Sequence, residues 1–161
     1  MRIKTGIGFD IHRLVEDQNL YLGGIAIPFS KGLSGHSDGD CLIHAIIDAI
    51  LGALGEGDIG QQFADTDGEF KDIRSTELLR RVMHMMGNKK ARIANLDSVI
   101  IAERPRLAPH VSAMKKAICP LLQIDEKELG IKAKTHEGIG PLGQGEAIAA
   151  WVSVLLTFEE D

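Results

Sequence analysis

The sequence predicts an α/β fold of the α+β type, a single compact domain over residues 1–161 with a mixed sheet covered by helices. Three observations carry this. Some stretches alternate apolar and polar residues, as strands do, and others repeat apolar residues at helical spacing. Short glycine-rich stretches separate them, and glycine is the unusual count, at 18. A chain of 161 residues that is 44% hydrophobic and 25% charged has the size and composition of one soluble domain.

The elements follow in order. Residues 2–13 read as a strand ending in Phe9-Asp10-Ile11-His12. Gly23-Gly24 lies between two short apolar runs within residues 20–28, which predicts a hairpin. Ser37 and Asp38 are capping types just ahead of an apolar helix from Asp40 to Leu54, which Gly55 and Gly57 end. Residues 58–70 form a polar loop. Residues 72–86 carry apolar side chains at 79, 82, 83 and 86, a helix that Gly87 stops. Residues 92–103 alternate around Ile93, Leu96, Val99 and Ile101 and read as a strand. Pro105 and Pro109 bracket the entry to a helix reaching about Cys119. Residues 130–136 form a strand before a glycine-rich loop. Residues 146–158 read as a strand, because Trp151, Val152 and Val154 favour β structure; Glu146 and the alanines leave a helix open.

Composition excludes several classes. There are 18 basic and 23 acidic residues, a net charge of −5, so a nucleic-acid partner is not expected. Aromatics, at 4%, are too few for a base-stacking platform. The longest apolar run, Ala147 to Leu156, is about half of the ~20 residues a spanning helix needs, so no membrane association is expected. No signal-peptide pattern opens the chain. Two cysteines, Cys41 and Cys119, make neither a CxxC pair nor a disulfide framework. This composition suits a reduced, cytoplasmic protein, or an organellar one after transit-peptide removal.

Several residues carry chemistry. Asp10 and His12, two apart on a strand, share a face. With a third histidine, for which His44 early in the first helix is a candidate, they would make an open zinc site that leaves a fourth position for substrate. Taken alone, a D-x-H pair also occurs by chance. Asp40, His44 and Asp48 recur every fourth residue and share a helix face. They are either a capped helix start with a satisfied core histidine, or a ligand with Asp48 as the acceptor that fixes its tautomer. The loop from His36 to Asp40 precedes a helix N-terminus, where free N–H groups and the dipole suit phosphate. A capping loop would account for Ser37 and Asp38 but not for His36. Asp58-Ile59-Gly60, with Phe63, Asp65 and Asp67, is either an acidic surface loop or a holder of sugar-like hydroxyls. Thr135, His136 and Glu137 end a strand, where Glu137 suits Mg²⁺ shared with phosphates or is an ordinary strand exit. His84 and His110 read as structural.

The segments GIGFDIHRL (6–14), GLSGHSDGDCLIHAIIDAILGA (32–53), GDIGQQFADTD (57–67), SVIIAERPRLAPH (98–110) and KAKTHEGIG (132–140) closely resemble the 2-C-methyl-D-erythritol 2,4-cyclodiphosphate synthases. The resemblance spans nearly the whole chain and implies a homotrimer around a central channel, with active sites between subunits. It makes Asp10, His12 and His44 the ligands of one Zn²⁺ per subunit. It puts His36 and Ser37 against phosphate and the erythritol part. Asp58, Ile59 and Gly60, with Phe63, Ala64, Asp65, Thr66 and Asp67, would line the methylerythritol pocket. The neighbouring subunit's copies of Ala102, Glu103, Arg104, Pro105, Arg106, Leu107 and Ala108, with Lys134, Thr135 and His136, would hold the cytidine and diphosphate. Glu137 would carry Mg²⁺ or Mn²⁺ with the substrate diphosphate.

The implied reaction is internal phosphoryl transfer in the non-mevalonate isoprenoid pathway. The 2-phosphate of 4-diphosphocytidyl-2-C-methyl-D-erythritol 2-phosphate attacks the β-phosphorus, an eight-membered ring closes and CMP leaves. His36 and Thr135 would polarise and position phosphate oxygens. The nucleophile is already anionic, so catalysis can rest on positioning and electrostatics. Some positions depart from the family pattern. Gln144 stands in the glycine-rich loop where many members carry an Arg associated with an isoprenoid diphosphate in the channel, and Gln supplies no charge. Pro141 replaces a residue that is often aromatic, and Lys134 and His136 stand where small hydroxyl residues are frequent. Arg106 stands where Lys is common. Two other readings are a metal-dependent phosphohydrolase and a zinc-bearing module that binds nucleotide without turnover.

Overall fold

The protein, seen in a computed structural model, is described over residues 2–35, 37–63 and 73–159. The first half holds β1 (Arg2–Glu16), a hairpin of β2 (Leu20–Leu22) and β3 (Ile25–Ile27), β4 (Lys31–Leu33), α1 (Cys41–Leu54), α2 (Ile59–Gln62) and α3 (Ser75–Asn88). The second half holds β5 (Ala91–Ile101), α4 (Val111–Leu122), β6 (Leu129–Lys134), α5 (Gly140–Gly143) and β7 (Ala147–Phe158). Short 3-10 turns at Ala108–His110 and Glu126–Glu128 precede α4 and β6.

Five strands form one mixed sheet in the order β4-β1-β7-β5-β6. Only β5 and β6 run parallel, joined by the crossover through α4. The last apolar run is thus a strand rather than a helix, and it lies at the sheet's centre between β1 and β5. The Gly23-Gly24 hairpin is present as a separate two-stranded ribbon.

Helix boundaries differ from expectation for physical reasons. The cap of α1 is Asp40, whose carboxylate accepts from the Ile43 N–H at 3.1 Å, rather than Ser37 or Asp38. Gly87 does not stop α3, which continues to Asn88. Inside a helix glycine costs about 1 kcal/mol relative to alanine, too little to break one that packing holds. Nothing in the sequence marked β4, α2 or α5.

α1 is buried on nearly every face, unlike a surface helix. It lies against β1 and β7 at very short range because β1 carries Gly6 and Gly8 beneath it. A Cβ on Gly8 would stand 1.9 Å from the Ala45 carbonyl oxygen, and one on Gly6 1.9 Å from that of Ala49. Small residues on both sides bring the helix backbone onto the strand backbone. The core fills the space between this sheet face and α1, α3, α4 and the hairpin. The other sheet face is open and apolar: Ile3, Ile7, Phe9, Ile11 and Trp151 are exposed.

Candidate functional site

Asp10 and His12 point from β1 toward the helix-covered face, on the same side as Gly6 and Gly8. The close approach of α1 brings its first turn to that spot, so His44 meets them. His12 Nε2 lies 2.8 Å from Asp10 Oδ2. His44 Nδ1 lies 3.0 Å from the same oxygen and 3.1 Å from His12 Nε2. Three donor atoms this close, each aimed at the others, fit the donor set of a small divalent ion.

The second nitrogen of each ring fixes which nitrogen faces Asp10 and a metal. His12 Nδ1 donates to the Ser34 carbonyl at 2.6 Å, leaving Nε2 for a metal. His44 Nε2 lies 2.8 Å from Ser75 Oγ and 3.0 Å from Ser37 Oγ, leaving Nδ1. Electrostatics agree with a ligand set. Burial alone would raise the Asp10 carboxyl, yet hydrogen bonds and charge from His12 and His44 hold it well below the usual carboxylate range. Burial alone would lower His12, but its pairing with Asp10 outweighs this and its pKa lies above 6.5.

The triad opens into a cleft of about 390 Å³ lined also by Ser34, Gly35, Ser37, Ile59, Gly60, Phe63 and Leu78. The structure thus brings Ser37, Ile59, Gly60 and Phe63 together with the triad. Asp58 caps α2, accepting the Gln61 N–H at 2.9 Å. His36, Ala64, Asp65, Thr66 and Asp67 lie outside the described residues.

Asp48 does not take the part expected of it. Its carboxylate accepts the Ile59 N–H at 2.8 Å, a helix-start donor that needs a partner, and so it anchors α2 at the cleft. The His44 Nε2 meets Ser37 and Ser75 instead, and Ser75 is the one that sequence reasoning missed. A serine heading a helix 31 positions away carries no signal of its own.

The second group of expected residues gathers at the C-terminal ends of the parallel pair β5 and β6, where loops of parallel strands form binding sites. The Ala102 N–H donates to the Lys134 carbonyl at 2.9 Å. The His136 N–H donates to Glu103 at 3.2 Å, and the Thr135 hydroxyl to Glu137 Oε1 at 2.9 Å. Glu137 has a φ of 52°, in the left-handed region, followed by Gly138 in the same region. The Arg104–Pro105 bond is cis. Arg104, Arg106, Lys134, Thr135, His136, Glu137, Pro141 and Gln144 are exposed, whereas the Ala102 and Leu107 side chains belong to the core. None of these residues lines the cleft around the triad.

The YgbB family matches residues 3–157. A relative from Caldicellulosiruptor bescii, named 2-C-methyl-D-erythritol 2,4-cyclodiphosphate synthase, is 49% identical over 153 residues, 95% of this chain and 98% of its own. Among solved structures, the bifunctional IspDF of Campylobacter jejuni is similar with a TM-score of 0.94 and 40% identity. The match covers 99% of this chain and 43% of that one. The CDP complex of IspF from Plasmodium falciparum is similar with a TM-score of 0.86 and 35% identity, covering 98% of this chain and 97% of that one.

Proposed function

The chain belongs to the YgbB family, and we infer that it catalyses the reaction after which its relatives are named. It is a phosphorus–oxygen lyase of isoprenoid biosynthesis. It converts 4-diphosphocytidyl-2-C-methyl-D-erythritol 2-phosphate to 2-C-methyl-D-erythritol 2,4-cyclodiphosphate and CMP. An oxygen of the 2-phosphate forms a bond to the β-phosphorus. The bond from that phosphorus to the oxygen bridging to the α-phosphate breaks, and its electron pair leaves with CMP. The observation that carries this reading is the Asp10–His12–His44 triad, whose donor atoms lie within 3.1 Å of one another in an open cleft.

Asp10, His12 and His44 would hold Zn²⁺, one per chain, whose charge offsets that of the gathered phosphates. Glu137 offers a hard oxygen ligand for the Mg²⁺ or Mn²⁺ that accompanies a diphosphate. Its bond from Thr135 keeps that hydroxyl on the same loop, ready to turn to a phosphate oxygen. His36 and Thr135 are the residues assigned to grip phosphate oxygens. Ser37, with Ile59 and Gly60, faces the same cleft as the triad, and is assigned to the erythritol part. The loops after β5 and β6 are assigned to the cytidine end, in keeping with the CDP complex of the Plasmodium falciparum relative.

The chain works as a homotrimer in this reading. Two observations support it: an open apolar sheet face, and a nucleotide-end cluster that does not line its own chain's metal cleft. A neighbouring copy then brings residues 102–108 and 134–137 to the triad.

Phosphorus NMR of the purified protein with substrate and Mg²⁺, with and without a chelator, tests the reaction. Two coupled cyclic-diphosphate signals with CMP, abolished by chelation, are expected. CMP with a linear phosphate product would show hydrolysis instead.

A further inference from the structure

His44 can offer Nδ1 to a metal only while its proton sits on Nε2. That nitrogen is turned away from Asp10 and His12 into the protein, on a residue that is 8% exposed. A buried N–H needs an acceptor, and the nearest is the hydroxyl of Ser75, the fully buried first residue of α3, at 2.8 Å.

A hydroxyl can accept or donate, so something must set its direction. Here it is Asp38. Ser75 Oγ–H donates to Asp38 Oδ1. The other Asp38 oxygen accepts the Ser75 N–H at 3.2 Å and the Arg74 Nε–H at 3.0 Å. A carboxylate cannot donate, so the Ser75 proton points to it and the Ser75 lone pair is left facing His44. α3 has no side-chain cap of its own, and Asp38 satisfies its first N–H from across the loop. One carboxylate therefore docks a helix and orients the hydroxyl beside the triad. Ser37 Oγ is the other neighbour of His44 Nε2, at 3.0 Å, but it lines the open cleft.

We propose that Ser75 is a positioning residue: directed by Asp38, it holds the His44 ring in the tautomer that presents Nδ1 to the metal, and leaves the Ser37 hydroxyl free for substrate. This rests on reading Asp10, His12 and His44 as metal ligands.

The test has two readouts. Zinc affinity is measured by competition with a chromophoric chelator for the unaltered protein, Ser75→Ala and Ser75→Thr. The expected loss for Ser75→Ala is about 10- to 100-fold, with Ser75→Thr close to the unaltered protein. Equal affinity of all three, or equal loss in both variants, would overturn the proposal, since the hydroxyl would not matter. Nitrogen-15 NMR of the histidines in the unaltered, zinc-loaded protein supplies the second readout, and needs no variant to fold. His44 protonated on Nε2 is expected; protonation on Nδ1 overturns the proposal. Absence of zinc binding by the unaltered protein would instead refute the metal reading on which the proposal rests.

Discussion

His44 joins two requirements in one side chain. It closes the donor set with Asp10 and His12, and it stands at the helix start that the core holds against β1. Replacing it with alanine removes one of three protein donors. His44→Ala should lose stoichiometric zinc and turnover while keeping its fold, because only one mostly buried polar ring is lost. Metal analysis showing full zinc in that variant would contradict the assignment.

Protonation at the triad gives a signed prediction. Asp10 is held below its usual 3.8, so its contribution is complete above that value and is lost as pH falls through the lowered pKa. His12 is raised above 6.5, so its contribution is complete below 6.5 and is lost as pH rises through the raised pKa. For metal-free protein the two together favour the window between 3.8 and 6.5. Zinc has the opposite preference, because the proton on His12 competes with it. The gap in Tm between zinc-loaded and metal-free protein should therefore widen from about pH 5 to about pH 8. A gap that narrows would show that His12 is not a ligand.

At the scale of elements, α1 on β1 is the contact that builds the site. Gly8→Ala places a methyl 1.9 Å from the Ala45 carbonyl oxygen, so the helix must retreat. This should lower stability by about 1–3 kcal/mol or more and weaken zinc binding, as His44 moves with the helix. Denaturant unfolding and a zinc titration would read both, and an unchanged midpoint would contradict the packing argument. Asp40 joins α1 to the hairpin. Its buried carboxylate accepts from Gly23 at 2.9 Å, Gly24 at 2.7 Å and Ile43 at 3.1 Å. Asp40→Ala should cost about 1–3 kcal/mol in the same unfolding measurement, since it removes the cap and leaves buried N–H groups unpaired.

The same elements show what a sequence can carry. Asp10 and His12 were legible because a strand has period two, and α1 because its apolar residues run between a capping aspartate and Gly55. The strand at 147–158 was legible from Trp151 and its valines, although the alanines left a helix open. β4, at three residues, is too short to have a period. Asp48 was misread because helical spacing gives neighbours on one helix and says nothing of the α2 N–H that competes for its carboxylate. Ser75 was not legible for the complementary reason: its role exists only once α3 docks on Asp38.

At the scale of the whole molecule, two features ask for more copies of the chain. Phe9 packs on Trp151 in a tilted pair with centroids 4.4 Å apart, on a sheet face that also exposes Ile3, Ile7 and Ile11. In the proposed homotrimer this face is covered by neighbouring copies, and sedimentation should give the mass of three chains. The residues at the ends of β5 and β6 stand apart from the cleft that holds the triad. In the proposed reading, one chain's triad and a neighbour's 134–137 loop act on the same substrate. The most direct test mixes two inactive variants, His44→Ala and Glu137→Ala, after dissociation and joint reassembly. A site shared between neighbours predicts recovery of about a quarter of the unaltered activity, since about one interface in four then pairs two intact halves. No recovery, from variants that reassemble into trimers, would place both halves in one chain and contradict the account.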